Sequence, residues 1–320
     1  MQKLRLGKTQ LEVSRLMHGC MSLGGSWDDK PPSAQSVADA VKAVRAALDT
    51  GMDCFDHADI YCRGKSELVF AKAFAELGAR RDSVMLQSKC GIRFANEPAG
   101  TPHRFDFSRE HIVRSVEQIL SRLNTDYLDV LLLHRPDALI EPEEVAAAFD
   151  EIERSGKARH FGVSNATVGQ LELLRKHLRQ PIVVNQVELS LVHTPLLDAG
   201  IAANQTHASL GAEGTLDYCR LHDITLQAWG PLGRGRALGG DDNEASRELG
   251  RVVARLAEQK GAPKEAIPIA FLLRHPARIQ PVLGTTNPLR IAAAARATEI
   301  ELSREEWYEL YVAGRGSALP

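Results

Sequence analysis

Four polar side chains at the ends of predicted strands have the types needed to protonate a carbonyl group. They are Asp56 and Tyr61 in FDHADIY, Lys89 in MLQSKCG and His134 in VLLLHRPD. A tyrosine with an ordinary pKa of about 10 is a poor acid at neutral pH. A nearby Lys89 would lower the Tyr61 pKa, and Asp56 would keep the lysine charged. His134 would orient the carbonyl oxygen or relay the proton, while a nicotinamide could deliver hydride to the carbonyl carbon.

Each of these residues also has a purely structural interpretation. Asp56 could cap the helix after its strand, Lys89 could be a solvated strand end, and His134 could be a hydrogen-bonded core histidine. Their joint placement at the second, third and fourth predicted strands favours a common site. Neighbouring strand ends in a barrel converge on one opening, which we call the mouth.

Short apolar runs separated by helical patterns would position these residues. Eight runs predict buried strands, at residues 16–20, 53–56, 84–88, 128–134, 160–163, 182–186, 224–229 and 281–284. Between them, apolar residues recur at helical spacing, as at residues 37–48. Pro142 and Gly156 give start and stop signals for the fourth helix, and Ser303 with Glu306 predicts a capping box before the last helix.

The alternation of eight strands with helices predicts a closed (β/α)8 TIM barrel, with active groups at the carboxyl ends of the strands. We expect residues 1–320 to form one domain. Residues 3–6 and 11–14 flank a turn and could form a hairpin that closes the barrel bottom, and residues 198–214 predict a surface loop. The alternative is an open doubly wound sheet, which is disfavoured because no G-x-G-x-x-G follows the first predicted strand.

Composition limits the partners and the location of the protein. The 320 residues include 39 basic and 41 acidic ones, for a formal net charge of −2, so we expect no affinity for nucleic acid or an anionic membrane. The five cysteines lack C-x-x-C spacing, which favours reduced thiols in the cytoplasm and gives no sign of a metal site. With no run of about 18 apolar residues and no signal peptide, we expect a cytoplasmic protein that binds a small molecule.

Several segments in order along the chain carry a family resemblance. They are GMDCFDHADIYCRGKSE, SKCG, LDVLLLHRPD, GKARHFGVSN, NQVELS, AWGPLGRG and PVLGTTNPLR. Over residues 4–300 this set resembles the aldo-keto reductase superfamily. Its Asp-His-Ala-Asp and His-Arg-Pro-Asp motifs resemble a bacterial branch of oxidoreductases. The resemblance implies Tyr61 as general acid, Lys89 and Asp56 as the pair that tunes it, and His134 as the group that orients the substrate.

The resemblance also implies a nicotinamide site at the mouth. Ser164, Asn165 and Gln186 would hydrogen-bond the nicotinamide carboxamide and so fix which face of the ring donates hydride. Trp229 aligns with the stacking aromatic of the family. The structural alternatives are that Ser164 and Asn165 cap the fifth helix and that Trp229 is a core residue.

The remaining cofactor candidates follow the last two predicted strands: Leu232, Arg234, Gly284, Thr285, Asn287 and Arg290. The first two would offer backbone N–H groups and a guanidinium to the pyrophosphate, and the others lead into a helix whose amino terminus attracts phosphate. Arg290 could contact a ribose 2′-phosphate and so favour NADPH over NADH. Gly284 stands where many relatives carry a cation, and Arg290 could equally be an exposed arginine without a ligand.

We therefore expect an enzyme that reduces an aldehyde or ketone to an alcohol with NADPH and without a metal. One alternative is a cofactor-sensing regulatory or interaction protein with negligible turnover, similar to the potassium-channel β subunits. A metal-dependent hydrolase barrel is another, disfavoured because the first strand lacks an HxH pair. Arg93, if it faces the pocket, would favour an anionic substrate, although a salt-bridged surface arginine is equally expected. The substrate and the oligomeric state stay open.

Overall fold

The computed structural model describes residues 1–201 and 214–319. The chain begins with an antiparallel hairpin of β1 (Lys3–Arg5) and β2 (Glu12–Ser14). In the turn of this hairpin, the Gly7 N–H donates to Thr225 Oγ1 at 2.8 Å. The buried apolar face of the hairpin packs against the apolar interior of the barrel at the amino-terminal ends of its strands. The predicted hairpin is therefore confirmed.

Strands and helices then alternate along the chain. In order they are β3 (Met17–Gly19), α1 (Ala34–Asp49), β4 (Cys54–Asp56), α2 (Lys65–Glu76), β5 (Met85–Cys90), β6 (Ile92–Arg93), β7 (Arg104–Phe105), α3 (Arg109–Leu123), β8 (Leu128–Leu133), α4 (Pro142–Arg154), β9 (Ala158–Ser164), α5 (Val168–His177), β10 (Ile182–Glu188), α6 (Pro195–Ile201), α7 (Thr215–Leu221), β11 (Thr225–Trp229), α8 (Glu244–Gln259), α9 (Ala266–Arg274), β12 (Gln280–Leu283), α10 (Pro288–Ala295) and α11 (Arg304–Arg315). Short 3₁₀ turns occur at Arg81–Ser83, Gly233–Leu238 and Arg296–Glu299.

Eight of the strands form a closed parallel barrel. They pair in the order β3, β4, β5, β8, β9, β10, β11 and β12, and β12 pairs with β3 to close the ring. Each predicted run overlaps one of these strands, and the ends agree to within two residues. The (β/α)8 prediction is confirmed, and the closed ring excludes an open doubly wound sheet.

Local sequence explains where several helices begin and end. Pro142 is the first residue of α4, and Gly156 follows that helix with a φ of 75°, a conformation that glycine adopts readily. Before α11, Ser303 and Glu306 form the predicted reciprocal capping box. The side chains of this capping box accept hydrogen bonds from backbone N–H groups that would otherwise lack partners.

Inside the barrel, an apolar layer next to the hairpin lies below a polar layer. The apolar layer contains Met17, Cys54, Met85, Val130, Leu132, Val184 and Val282. In the polar layer, strand register sets Asp56 beside Gln87, and Gln186, Gln227 and Gln280 side by side on adjacent strands. Because all five of these polar side chains are buried, their hydrogen bonds determine how the mouth of the barrel is organised.

Two features differ from the predictions. A hairpin of two short strands, β6 and β7, follows β5. Each strand has only two residues, which is too short to leave an alternating pattern in the sequence. The predicted surface loop at residues 198–214 is wrong for residues 198–201, which lie in α6. Thr194 and Pro195 start this helix, since the Thr194 carbonyl accepts the first helical N–H bonds. Residues 202–213 of that predicted loop lie outside the described residues.

None of the described helices has both the length and the apolar character of a membrane span.

Candidate active site

Asp56, Tyr61 and Lys89 form one hydrogen-bonded group. Asp56 ends β4, Lys89 lies on the adjacent β5, and Tyr61 lies in the loop between β4 and α2. The Lys89 ammonium donates to the two Asp56 carboxylate oxygens at 2.8 and 2.7 Å and to the Tyr61 hydroxyl at 3.0 Å. It also donates to the main-chain carbonyl of His57 at 2.8 Å. A single cation therefore links the carboxylate to the phenol.

Burial and neighbouring charges set the protonation states of this group. Burial raises the pKa of Tyr61, and although the Lys89 ammonium opposes this, the pKa stays above its ordinary value. Burial alone would lower the pKa of Lys89, but the charge and hydrogen bonds of Asp56 together with those of Tyr61 raise it overall. At neutral pH a protonated phenol therefore lies beside a charged ammonium. The prediction that Lys89 lowers the pKa of Tyr61 below its ordinary value is wrong. Burial of the phenol raises the pKa more than Lys89 lowers it, and the extent of this burial cannot be read from the sequence.

His134 completes the predicted catalytic group. It follows β8 directly, and its ring meets the Tyr61 ring edge to face, with 5.8 Å between the centroids. Burial lowers the pKa of His134 well below its usual range, and the charges of Lys89 and Arg135 lower it further. The imidazole is therefore neutral and able to donate or accept a hydrogen bond. Its Nδ1 atom is buried without a partner in the described part of the chain.

The loop that carries Tyr61 is fixed from behind by a buried ion pair. Glu67, in the first turn of α2, accepts hydrogen bonds from Ser88 Oγ at 2.8 Å and from Arg122 Nε at 2.6 Å. Gly64, just before α2, has a φ of 81°, and a Cβ there would lie 2.9 Å from Arg122 Cδ. The turn therefore needs glycine for both conformation and space. Because Ser88 directly precedes Lys89, this cluster ties α2 to β5 beside that lysine.

Four buried glutamines support Asp56 from inside the barrel. Gln87 and Gln186 each donate to Asp56 Oδ1, at 2.7 and 2.9 Å, and each also donates to Gln227 Oε1. Gln227 donates in turn to Gln280, which donates to the carbonyl of the last residue of β2. Oδ1 of Asp56 thus accepts from two amides as well as from lysine. This network leaves the carboxylate little freedom to rotate.

Ser164, Asn165, Gln186 and Trp229 lie together at the mouth, at the ends of β9, β10 and β11. Ser164 Oγ donates to the Gln186 carbonyl and accepts from Asn165 Nδ2, both at 2.8 Å. Trp229 Nε1 donates to Asn165 Oδ1 at 3.1 Å. The cap of α5 is Thr167, so Ser164 and Asn165 are not its capping residues. Gln186 joins this set to the catalytic group through Asp56.

The other predicted cofactor residues lie at the ends of the adjacent strands β11 and β12. Leu232 and Arg234 follow β11, and Gly284, Thr285, Asn287 and Arg290 follow β12. Asn287 caps α10, since its Oδ1 accepts from the N–H groups of the next residues at 2.9 and 3.3 Å. Arg234 and Arg290 are exposed, and neither has a carboxylate partner within residues 1–201 and 214–319.

Two other arginines near the mouth are paired with acids. Arg93 forms an ion pair with Asp106 at 2.8 Å. Arg63 is bound to Asp29 at 3.2 Å and to Glu97 at 3.5 Å. Of the two interpretations of Arg93, the structure supports the salt-bridged arginine, and the expectation of an anion-binding Arg93 is not supported.

Sequence reasoning missed the glutamine network and Arg135. For the glutamines a signal was present: Gln87 and Gln227 each lie two positions before a predicted site residue, and alternate residues of a strand face the same side. For Arg135 the only signal was its position next to His134. In the described residues, no three His, Cys, Asp or Glu side chains are grouped so that they could hold a metal ion.

Comparison with known proteins agrees with this architecture. The sequence model of the Aldo/keto reductase family matches residues 15–312. The chain is 34% identical to oxidoreductase YdhF of Escherichia coli (strain K12), over 100% of this chain and 99% of the relative. It is also 34% identical to a 6-dehydroglucose reductase of Agrobacterium fabrum, over 99% of each chain. The solved structure of the thermostable aldo-keto reductase Tm1743 aligns with a TM-score of 0.79 and 27% identity, over 98% of this chain and 100% of that one. Since the family match extends from the first barrel strand to the last helix, the chain belongs to the Aldo/keto reductase family and is an NAD(P)H-dependent oxidoreductase of small molecules.

Proposed function

We propose that the protein reduces an aldehyde or ketone to the alcohol with NADPH and that Tyr61 donates the proton. The strongest support is the 3.0 Å contact between Lys89 Nζ and the Tyr61 hydroxyl, made while the same ammonium is bound to Asp56. The nicotinamide, when bound, supplies hydride to the carbonyl carbon. Loss of its proton leaves negative charge on Tyr61, and the Lys89 ammonium is positioned to stabilise that charge.

Asp56 and His134 have different supporting roles in this proposal. Asp56 keeps Lys89 charged and holds it against the phenol, since it accepts two hydrogen bonds from the ammonium. His134 is neutral because of burial and nearby cations, which lower its pKa, and it would orient the substrate oxygen towards Tyr61. A neutral imidazole does this without adding a second positive charge beside Lys89.

The amide groups opposite the catalytic group fit a nicotinamide carboxamide. Both N–H groups of Gln186 are already donated to Asp56 and Gln227, so only its oxygen is left to accept a hydrogen bond. Asn165 accepts from Trp229 and donates one N–H to Ser164, so its second N–H is left to donate. One free acceptor beside one free donor is complementary to a primary carboxamide. The half-buried Trp229 ring, held through its N–H, offers a flat surface for stacking.

The loops after β11 and β12 would hold the phosphates. Leu232 and the following turn offer main-chain N–H groups, and Arg234 adds a positive charge. Gly284, Thr285 and Asn287 lead into α10, whose amino terminus favours negative charge. Arg290, in the first turn of α10, would bind the ribose 2′-phosphate of NADPH, a group that NADH lacks. The exposed Arg290 therefore supports a preference for NADPH, whereas Arg234 would serve either cofactor.

We further propose that residues 1–320 act as one domain in the cytoplasm, where the five free and buried cysteines would stay reduced. Because relatives at 34% and 30% identity are named 6-dehydroglucose reductases, the aldehyde of an oxidised sugar is a suitable first substrate to assay.

The direct test is to measure NADPH and NADH oxidation with aldehydes, ketones, sugars including 6-dehydroglucose, and steroids. Tyr61→Phe should lower kcat by about 10²–10⁴-fold, the usual contribution of a general acid, and should keep the wild-type Kd for NADPH. The matched control is Tyr127→Phe, because Tyr127 lies just before β8 at the opposite end of the barrel, between Arg81 and Arg159. This control should keep wild-type turnover.

Two results would count against the proposal. Wild-type rates for Tyr61→Phe would show that Tyr61 is not the proton donor. Tight NADPH binding with negligible turnover on every carbonyl would instead favour a cofactor-sensing protein on the same barrel.

A further inference from the structure

Arg135 extends across the mouth of the barrel. It follows His134 on the segment after β8, yet its guanidinium carbon lies 5.5 Å from the centroid of the Trp229 ring at the end of β11. Strands β9 and β10 separate β8 from β11 in the barrel. A side chain that links these two strand ends lies over the opening and beside the catalytic group. In agreement with this position, the Arg135 charge contributes to the lowered pKa of His134.

The charge of Arg135 is uncompensated, in contrast to its basic neighbours. Lys89 is paired with Asp56 at 2.7 Å, and Arg93 is paired with Asp106 at 2.8 Å. For Arg135, no carboxylate lies within ion-pair distance in the two described stretches of chain. The residue is half-buried, so part of its hydration is lost without an acidic partner in return. A half-buried guanidinium in this state favours the binding of an anion.

The cofactor phosphates are not well placed to supply this anion. Their candidate ligands, Arg234 and Arg290, follow β11 and β12. β8, which precedes Arg135, lies opposite β12 in the eight-stranded ring. The Arg135 guanidinium does reach the end of β11, but there it lies over Trp229, the residue proposed to stack on the nicotinamide and not to bind the phosphates. Arg135 is instead adjacent to His134, the residue that would orient the substrate carbonyl. The anion is therefore expected on the substrate.

We propose that Arg135 binds a carboxylate or phosphate group of the substrate, so that the preferred substrates are carbonyl compounds that carry an anion. This inference rests on the proposed function, since it places the reacting carbonyl at Tyr61 and His134. The planar guanidinium fork suits two-oxygen anions, and the Trp229 ring supports one of its faces. The carbonyl would enter towards Tyr61 while the anionic end stays at Arg135.

The test compares 4-carboxybenzaldehyde with its neutral methyl ester, methyl 4-formylbenzoate. The wild-type enzyme should favour the carboxylate in kcat/KM by about tenfold or more, as expected for charge-assisted hydrogen bonds. Arg135→Ala should remove this preference mainly through KM, and Arg135→Lys should restore part of it. Arg93→Ala, which removes a paired arginine near the mouth, should leave the ratio of the two substrates unchanged. Glyceraldehyde 3-phosphate against glyceraldehyde distinguishes phosphate from carboxylate.

Direct binding separates this inference from the proposed function. In the presence of NADP+, 4-(hydroxymethyl)benzoate should bind to the wild-type protein and at least tenfold more weakly to Arg135→Ala in calorimetry, whether or not turnover is seen. Equal binding to both proteins overturns the inference even if both reduce aldehydes. It is also overturned if Arg135→Ala weakens NADPH binding, or if it slows the acid and the ester equally.

Discussion

Two sides of the mouth differ in how their charges are compensated. We call them the catalytic side, which carries the proposed group of Asp56, Tyr61, Lys89 and His134, and the cofactor side, which carries the residues proposed to bind the cofactor. On the catalytic side, Lys89 is 1% exposed and is bound to both oxygens of Asp56. On the cofactor side, Arg234 and Arg290 are exposed and have no acidic partner in the described residues. The charges of the catalytic side are thus paired with each other, whereas the two arginines of the cofactor side would be free to bind an anionic ligand in the proposed function.

The difference has a physical reason. A buried charge needs a partner, because an unpaired ion loses several kcal/mol of solvation in the protein interior. An exposed arginine stays hydrated and needs no protein partner until phosphate replaces the water. Arg135 lies between these two cases, since it is half-buried and has no carboxylate within the described residues. Variants on each side should therefore show different effects on stability and on binding.

The largest effect is expected from Lys89→Met. This change removes the cation that supports Tyr61 and leaves Asp56 as a buried charge with amide partners only. We expect kcat to fall by about 10²–10⁴-fold. The free energy of unfolding should fall by about 3–5 kcal/mol, the usual effect of breaking a buried ion pair. Steady-state kinetics and urea unfolding measure the two effects separately.

The double variant Asp56→Asn with Lys89→Met is the control for this prediction. It removes both charges, so most of the lost stability should return while activity stays low. If the double variant is as unstable as Lys89→Met, the carboxylate is not the cause of the instability. Near-normal turnover of Lys89→Met would show that the catalytic side does not depend on this cation.

The polar residues of the catalytic side could be predicted because they lie at regular places. Asp56, Lys89 and His134 each lie at the end of an apolar run, and parallel strands bring such ends to one mouth. The barrel itself follows from the same pattern, since eight buried runs alternate with amphipathic helices. Tyr61 was found through its motif, because it belongs to a loop and not to a strand.

The pairing of long side chains could not be predicted. Arg93 was a candidate for an anion site, and its partner Asp106 depends on the hairpin of β6 and β7, which is too short to show a sequence pattern. Arg135 reaches Trp229 only because of its side-chain conformation. Prediction of the glutamine network needs the register of the strands, which places Gln186 and Gln280 on either side of Gln227. Strand periodicity gives the face of a residue, but tertiary register decides its partner.

An intermediate effect is expected from Asp59→Asn. Asp59 lies in the loop between β4 and α2, two residues before Tyr61. Burial and the nearby charge of Glu67 raise the pKa of Asp59 from 3.8 to about 8, against the opposing charge of Arg122. In the unfolded chain the carboxyl ionises near pH 4, whereas the folded protein keeps its proton up to about pH 8. Ionisation therefore destabilises the fold progressively as the pH rises from about 4 to about 8. Asn removes this titration, so the variant should become more stable than wild type as the pH rises, by up to about 5 kcal/mol by pH 8.

Urea unfolding from pH 5 to pH 9 measures this effect. The stability difference between Asp59→Asn and wild type should grow with pH up to about pH 8 and then level off, with a slope of at most about 1.4 kcal/mol per pH unit. A difference that is constant with pH would show that Asp59 is ionised in the folded protein. It would also show that the catalytic loop does not enclose a protonated acid beside Glu67.

The smallest effect is expected on the cofactor side, from Arg290→Ala. An exposed arginine contributes little to folding, so the free energy of unfolding without cofactor should change by less than about 0.5 kcal/mol. Binding should change more, because the charged hydrogen bonds to a 2′-phosphate would be lost. We expect the Kd for NADPH to rise about tenfold and the Kd for NADH to stay the same. Fluorescence titration of both cofactors measures the two constants.

Arg296→Ala is the matched control, because Arg296 is a nearby arginine that is paired with Glu299 at 2.6 Å. It should leave both dissociation constants unchanged. If Arg290→Ala weakened NADPH and NADH equally, Arg290 would contact the shared part of the two cofactors and would not read the 2′-phosphate. If it weakened neither, the exposed cation would not bind the cofactor at all, and the contrast between the two sides of the mouth would be limited to Arg234. A loss confined to NADPH would show that the cofactor side leaves Arg290 unpaired for a group that only this cofactor carries.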